Sequence, residues 1–281
     1  MTCATSGAAG LSLLAAAAWG GGDFAGGLAS KRASVFRVVA LAHGCGLAAM
    51  LLLALVTGEP IPPCASLAWG AFAGLIGAFG IAALYRGLAI GRMGVVAPVA
   101  AVVTGVIPVL IGIRSDGWPD GLQLTGFALA LLSIWLVARP NEPLDSHRGI
   151  GLAALAGVAF GLFLVAGKQA GHHGLFWPLV AARLVSSLLM WVLAEFASRD
   201  SQPLRTVLWP VIFSGLLDSA GNALFIAATQ HGRLDVAAVL SSLYPASTVL
   251  LARFLLKERI ARVQAVGIAS AVTAVALISS R

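Results

Sequence analysis

The chain has 281 residues, 59% of them hydrophobic and only 10% charged, with a mean hydropathy of +0.94; a soluble domain of this length would carry roughly a quarter charged residues. No packing of so short a chain hides that much apolar surface from water, so a water-soluble domain is excluded and the solvent is lipid. The net charge of +7 forms no basic stripe or aromatic-interleaved patch, which excludes nucleic acid as a partner.

At about 20 residues per span, the apolar segments predict ten transmembrane helices. The first, near 10–30, holds Trp19, Asp23 and Phe24. It has no basic n-region, and Lys31 and Arg32 follow it rather than precede it, so it reads as a first span and not a signal peptide. The second lies near 36–57, and the third, near 66–90, ends with Tyr85 and Arg86. The fourth, near 94–113, carries Pro98 and Pro108; the fifth lies near 121–138. The sixth, near 149–170, holds Phe160 and Lys168, and the seventh lies near 175–197. The eighth, near 206–230, holds Asp218, Asn222 and Phe225. The ninth, near 235–256, holds Tyr244, Pro245 and Arg253, and the tenth lies near 262–280. The breaks are clusters of Pro, Gly and charge such as Gly58-Glu59-Pro60, and none is long enough for an extra soluble domain. Cys3, Cys45 and Cys64 are scattered without metal-ligand spacing and read as packing residues, so no metal and no cofactor is expected.

The chain repeats itself. Trp69 and Trp209 each open a span that ends in a Gly-Arg turn, at Gly91 and Gly232; Lys31 pairs with Lys168, and Gln123 and Gly126 with Gln264 and Gly267. The offset between the members of each pair is nearly constant along the chain. Two units are expected, residues 1–140 and 147–281, each of five helices. Five is odd, so the second unit enters the membrane upside down, an arrangement that recurs in secondary transporters with the site at the repeat interface.

The segment Ser241 to Ser279 places a proline within a helix, then the basic-acidic turn Lys257-Glu258-Arg259, then a final helix containing Gly267. It resembles the closing helix pair of the EamA-type family of the drug/metabolite transporter superfamily. The first half carries a weaker version with Pro108 and Gly126, and lacks the acidic-basic cluster at the turn around Asp116 to Asp120. The resemblance implies an all-α basket of ten helices around a central cavity, the fifth helix of each repeat at the periphery, and a carrier of amino acid-like or drug-like metabolites.

An ionisable side chain at mid-span costs about 2.5–3.5 kcal/mol on insertion scales, so each requires an account. Arg183 and Arg253 are read as snorkelling to the interface, whereas Arg86 stands between that reading and cavity lining. Asp23 and Asp218 are too short to snorkel and are expected to face a cavity. Asp218 and Asn222 share one helix face, with Phe225 a turn further on, a stripe of anion, amide and ring of the kind a small-molecule site needs; a polar helix-helix contact is the plain alternative. Trp19, Phe24, Tyr85, Phe160, Phe225 and Tyr244 fall on presumed cavity helices, and Tyr85 and Phe225 occupy equivalent repeat positions. Lys168, in a sparsely charged loop, is a candidate contact for an anionic group. Pro98, Pro108 and Pro245 each free a backbone carbonyl within a span and are candidate gates. Gly70 with Gly74 and Gly157 with Gly161 have the small-xxx-small spacing of close helix packing.

The expected function is export of a small metabolite across the cytoplasmic (inner) membrane by alternating access, with membrane lipid as surroundings and a proton as the candidate coupling ion, in a monomer or homodimer. A buried carboxylate holds its proton more tightly and a neighbouring cation loosens it, so Asp218→Asn is expected to abolish coupled transport and leave folding intact. A passive channel is the alternative, although nothing resembles a selectivity filter. An intramembrane enzyme is disfavoured, because His172-His173 has no companion carboxylate and no phosphate-binding Gly-Lys loop appears. Loop charges place the connections after odd-numbered spans in the cytoplasm and both termini outside; the family resemblance implies cytoplasmic termini.

Overall fold

The computed structural model describes residues 2–30, 32–90, 93–137, 149–196, 204–255 and 262–279. The chain runs through α1 (Thr2–Ser30), α2 (Val35–Val56), α3 (Cys64–Ile90), α4 (Met93–Asp116), α5 (Gly121–Val137), α6 (Ile150–Ala170) and α7 (Phe176–Phe196). A short 3-10 turn, Leu204–Thr206, leads into α8 (Leu208–His231), α9 (Leu234–Ser241), α10 (Tyr244–Leu255) and α11 (Arg262–Ser279). No strand occurs among the described residues. A helix satisfies every interior backbone polar group from within, the condition that lipid imposes on apolar runs of this length. Among the described residues, five helices are long and apolar enough to cross a membrane: Val35–Val56, Cys64–Gly87, Ile150–Ala170, Phe176–Phe196 and Leu208–His231.

Two features differ from the sequence reading. α1 begins well before the expected span, at Thr2. The ninth expected span is two helices, α9 and α10, broken at Ser242-Leu243. There the Leu243 N–H donates to the Leu240 carbonyl at 3.3 Å and the Ala246 N–H to the Leu243 carbonyl at 2.9 Å, a local tightening of the turn. Pro245 offers no N–H to the Ser241 carbonyl, so the α-helical ladder cannot run through this point. Asp235, at the start of the ninth expected span, is fully buried in the first turn of α9.

Packing is inside-out relative to a soluble protein. The buried apolar residues are largely alanines, such as Ala15, Ala40, Ala78, Ala100, Ala156 and Ala238, while Leu52, Leu55, Phe196, Trp209 and Phe254 stand exposed on the outer surface. Lipid tails solvate large side chains as well as a core would, so helix association relies on small residues that bring backbones together. Gly70 and Gly74 of α3 do this against α7, where an added methyl at either would overlap the backbone carbonyl of Pro178 or Ala182. Gly157 and Gly161 of α6 do the same against α4: a methyl at Gly157 would fall 2.6 Å from the Ala100 carbonyl oxygen.

The helix pairs follow a pattern. α1 packs on α8 as α6 packs on α3; α2 packs on α7 and α5 on α11; α4 packs on α6 as α9 and α10 pack on α1. With α9 and α10 counted as one element, exchanging α1–α5 with α6–α11 leaves this pattern unchanged. On one face, Glu59 between α2 and α3 caps the start of α7. Its carboxylate accepts the backbone N–H groups of Leu175, Phe176 (2.8 Å) and Trp177 (3.0 Å), and the Trp177 indole Nε1–H donates to the Glu59 carbonyl at 2.8 Å. Negative charge at a helix N-terminus meets both the free N–H groups and the helix dipole. On the same face, the Arg233 guanidinium forks onto the Asp235 carboxylate at 3.0 and 2.7 Å and donates to the Gly117 carbonyl at 2.8 Å. This ties the α8–α9 turn to the connection between α4 and α5.

Candidate functional site

The midpoints of α1, α2, α3, α4, α6, α7 and α8, together with the α9–α10 break, surround a central cavity of about 90 Å³. At roughly 10–15 Å³ of such space per water, it has room for several waters or a small organic molecule. Trp19, Asp23, Phe160, Asp218, Asn222 and Tyr244, six of the residues singled out from the sequence, line it. The remaining wall is mostly apolar, with Ala78, Ile81, Phe163 and Leu164 prominent.

The polar groups are organised around α8. Asp218 and Asn222 lie one turn apart on its inner face. The Asp218 carboxylate accepts a hydrogen bond from Nη2 of Arg183 on α7, and Nε2 of His43 on α2 lies 3.8 Å from the same Oδ2. The His43 Nδ1 is 2.9 Å from the Ser186 Oγ, which in turn donates to the Arg183 carbonyl at 3.2 Å. Arg183 and His43 are both buried. A chain of charge and hydrogen bonds therefore links α2, α7 and α8 at mid-depth, where a lone charge is most costly. One turn along α8 from Asp218, the Trp19 Nε1–H donates to the Asn222 Oδ1 at 3.0 Å, and the Trp19 ring leans on Phe225 with centroids 5.8 Å apart. Gly221 admits that ring: a methyl there would fall 2.5 Å from Trp19.

Two smaller pockets flank the cavity. One, about 20 Å³, is lined by Asp23, His43, Tyr85, Ser214 and Asp218; the other, about 10 Å³, is lined by Phe163, Pro178, Leu179, Phe225 and Ile226, with Asn222 as its polar edge. Tyr85 and Phe225, matched in the repeat, thus stand in separate small pockets and not on the central cavity. Phe225 is fully buried and serves as backing for Trp19.

Other expected site residues lie elsewhere. Arg86 is exposed near the end of α3, consistent with snorkelling and not with cavity lining. Lys168 is half-buried in the last turn of α6, and Phe24 is half-buried on α1; neither lines any of the three pockets. Pro108 is buried within α4 and Pro245 is buried just past the α9–α10 break. The side chains of Pro98 and Arg253, and all of Lys31, lie outside the described residues. His172 and His173 are exposed, and among the described residues no three metal-ligating side chains cluster.

Arg183 is a correction. It does not snorkel: it is 5% exposed and neutralises Asp218 inside the bundle. His43 escapes the sequence reading although it sits mid-span in a helix whose one charged residue, Arg37, is in its first turn. The repeat carries the missing signal, since His43 and Arg183 are separated by the repeat offset and occupy matching places on α2 and α7.

A polytopic helical bundle with a mostly apolar central cavity and a few buried polar anchors belongs to the carrier-like class of membrane proteins. The EamA-like transporter family model matches residues 6–139 and again 147–280, and the chain belongs to that family. A solved structure, described only as a crystal structure of a protein, superposes with a TM-score of 0.77 at 19% identity, covering 97% of this chain and 96% of its own; at that identity the likeness is one of fold. No curated protein matches the chain by sequence. The family's members are membrane transporters, and the chain is a multi-pass membrane protein.

Proposed function

We propose that the chain is a secondary carrier that exports a small metabolite across the cytoplasmic membrane by alternating access, with the central cavity as its substrate site. The observation that carries this reading is the cavity itself: α1 to α4 of one unit and α6 to α10 of the other close around it at mid-depth, and two carboxylates, a guanidinium and an imidazole are gathered there. Groups so costly to bury mark a substrate or ion pathway by default.

In this reading ten spans form two inverted five-helix repeats about a pseudo-two-fold axis in the membrane plane. The support is that the family model matches twice, over segments that each hold five of the spans read from the sequence, and that the helix-pairing pattern survives exchange of the two segments. Trp19, Asp23, Phe160, Asp218, Asn222 and Tyr244 contact substrate, and Tyr85 lines the approach past Asp23. Pro108 and the α9–α10 break at Pro245 act as hinges, since each interrupts the backbone ladder beside the cavity. A proton exchanging at one of the two carboxylates is the coupling ion.

The test is counterflow. Purified protein in sealed vesicles, preloaded with unlabelled compound, should draw in labelled compound transiently and saturably, with amino acids, nucleosides and organic cations tried in turn. Non-saturating flux without counterflow would make it a channel, and absence of flux for every class would remove the carrier reading.

A further inference from the structure

The polar groups of the cavity are not equally available to a ligand. Arg183 is spent on Asp218, and its Nε, which has no hydrogen-bond partner, has no accessible surface facing the cavity. His43 is engaged by Ser186 and stands beside Asp218. Asn222 is engaged by Trp19 through its acceptor oxygen. The remaining carboxylate is that of Asp23. Among the described residues no hydrogen bond or ion pair reaches it, and the charge of Asp218 lies close enough to act on it unfavourably. With Arg183 and Asp218 cancelling, Asp23 is the carboxylate, among the described lining residues, whose charge on ionisation is left for a ligand to balance.

The cavity wall that Asp23 shares is largely aromatic and aliphatic, with Trp19 one turn away on α1 and Phe160 and Tyr244 also lining it, while His43, Tyr85, Ser214 and Asp218 share the small side pocket with Asp23. Ring faces attract organic cations when water is excluded, and an anion stranded at mid-span is relieved by any cation that reaches it. A substrate carboxylate, by contrast, would find no uncommitted guanidinium or ammonium among the described lining residues and would have to break the Arg183–Asp218 pair to gain one.

Resting on the carrier reading above, we propose that the ligand is an organic monocation with an apolar body and no carboxylate of its own, its charge seated on Asp23 between Trp19, Phe160 and Tyr244. Zwitterionic amino acids are thereby disfavoured.

Three probes of similar size separate the possibilities on purified full-length protein: benzyltrimethylammonium, its neutral carbon isostere neopentylbenzene, and phenylalanine. Binding is read by displacement and by thermal shift, since a ligand of the folded state raises apparent stability. The expected result is that benzyltrimethylammonium binds at least tenfold more tightly than either of the others. Asp23→Asn should remove that tenfold advantage, and Asp23→Glu should retain most of it. Equal binding of cation and isostere overturns the proposal, as does tighter binding of phenylalanine, binding of none of the three, or an Asp23→Asn protein that holds the cation as the wild type does. The cation-against-isostere comparison needs no variant, so misfolding of Asp23→Asn leaves the proposal open to refutation. Counterflow of an amino acid by the same preparation would defeat the cation assignment while upholding the carrier reading, and loss of all counterflow would defeat the carrier reading itself.

Discussion

Asp218→Asn preserves shape and removes one charge, and from sequence alone it leaves the fold untouched. The structure gives a different expectation. Arg183 is 5% exposed and its counter-ion is Asp218, so the substitution strands a guanidinium in the bundle. Breaking a wholly buried pair from one side costs about 3–5 kcal/mol. The Asp218 side chain is 33% exposed to the cavity, so water and the nearby His43 supply part of the lost stabilisation and the expected cost falls to about 2–3 kcal/mol. Thermal unfolding in detergent should therefore show Asp218→Asn melting several degrees below the wild type, together with loss of coupled transport. Arg183→Met alone should be similarly damaging, because it leaves the carboxylate without its cation. The double variant Arg183→Met with Asp218→Asn should be less destabilised than the two single effects combined, since it leaves no orphaned charge. If Asp218→Asn melts with the wild type, or the double variant is as unstable as the singles added together, the ion pair does not hold α7 to α8 and the reasoning fails.

Three further outcomes follow from the geometry. Gly74→Val drives a side chain into the Ala182 backbone carbonyl, so overpacking should cost about 1–3 kcal/mol or more, read as a fall in folded yield and melting temperature; wild-type stability would show that α3 and α7 do not approach as described. Trp19→Phe keeps a ring against Phe225 but leaves the buried Asn222 oxygen without its donor, at a cost of about 1–3 kcal/mol in thermal unfolding, whereas an unchanged melt would mean that water takes the place of the indole. A reporter active only in the cytoplasm, fused after Arg281, should stay silent if the loop charges set the orientation; activity there would reverse it.

The spans are legible in the sequence because lipid demands apolar runs of about 20 residues, and Pro, Gly and charge punctuate them here close to most of the helix ends. The α9–α10 break is not legible, because Ser242-Leu243 lies inside one continuous apolar run and only Pro245 hints at it. Asp23, Asp218 and Asn222 stand out because a short polar side chain at mid-span has few explanations. Arg183 is misread for a reason of distance: its partner lies on another helix, and a long side chain in a span has a cheaper explanation at hand. His43 draws less attention because a neutral imidazole costs less to bury than a charge.

The two small pockets flanking the cavity bear on the balance between the end states of the proposed carrier. Val38, Val39, Ala42 and Tyr85 of one precede Pro178, Leu179, Ala182 and Phe225 of the other by one and the same offset, so the pockets are counterparts within the repeat. Their chemistry is not matched. By that offset Asp218 has Ala78 as its counterpart, and the crossing of α1 with α8 carries both carboxylates while the crossing of α3 with α6 presents Ala78 and Phe160. A duplicated frame alone would give a reversible device whose two end states are equal in free energy. In the carrier proposed above, acid at one crossing and hydrocarbon at the other would remove that degeneracy: the unloaded protein would favour one end state, and a cargo that satisfies the acidic wall would shift the balance by the difference in its affinity for the two. In the proposed carrier the asymmetry between end states is thus written into the side chains and not into the backbone, while net direction is set by the gradients it works between.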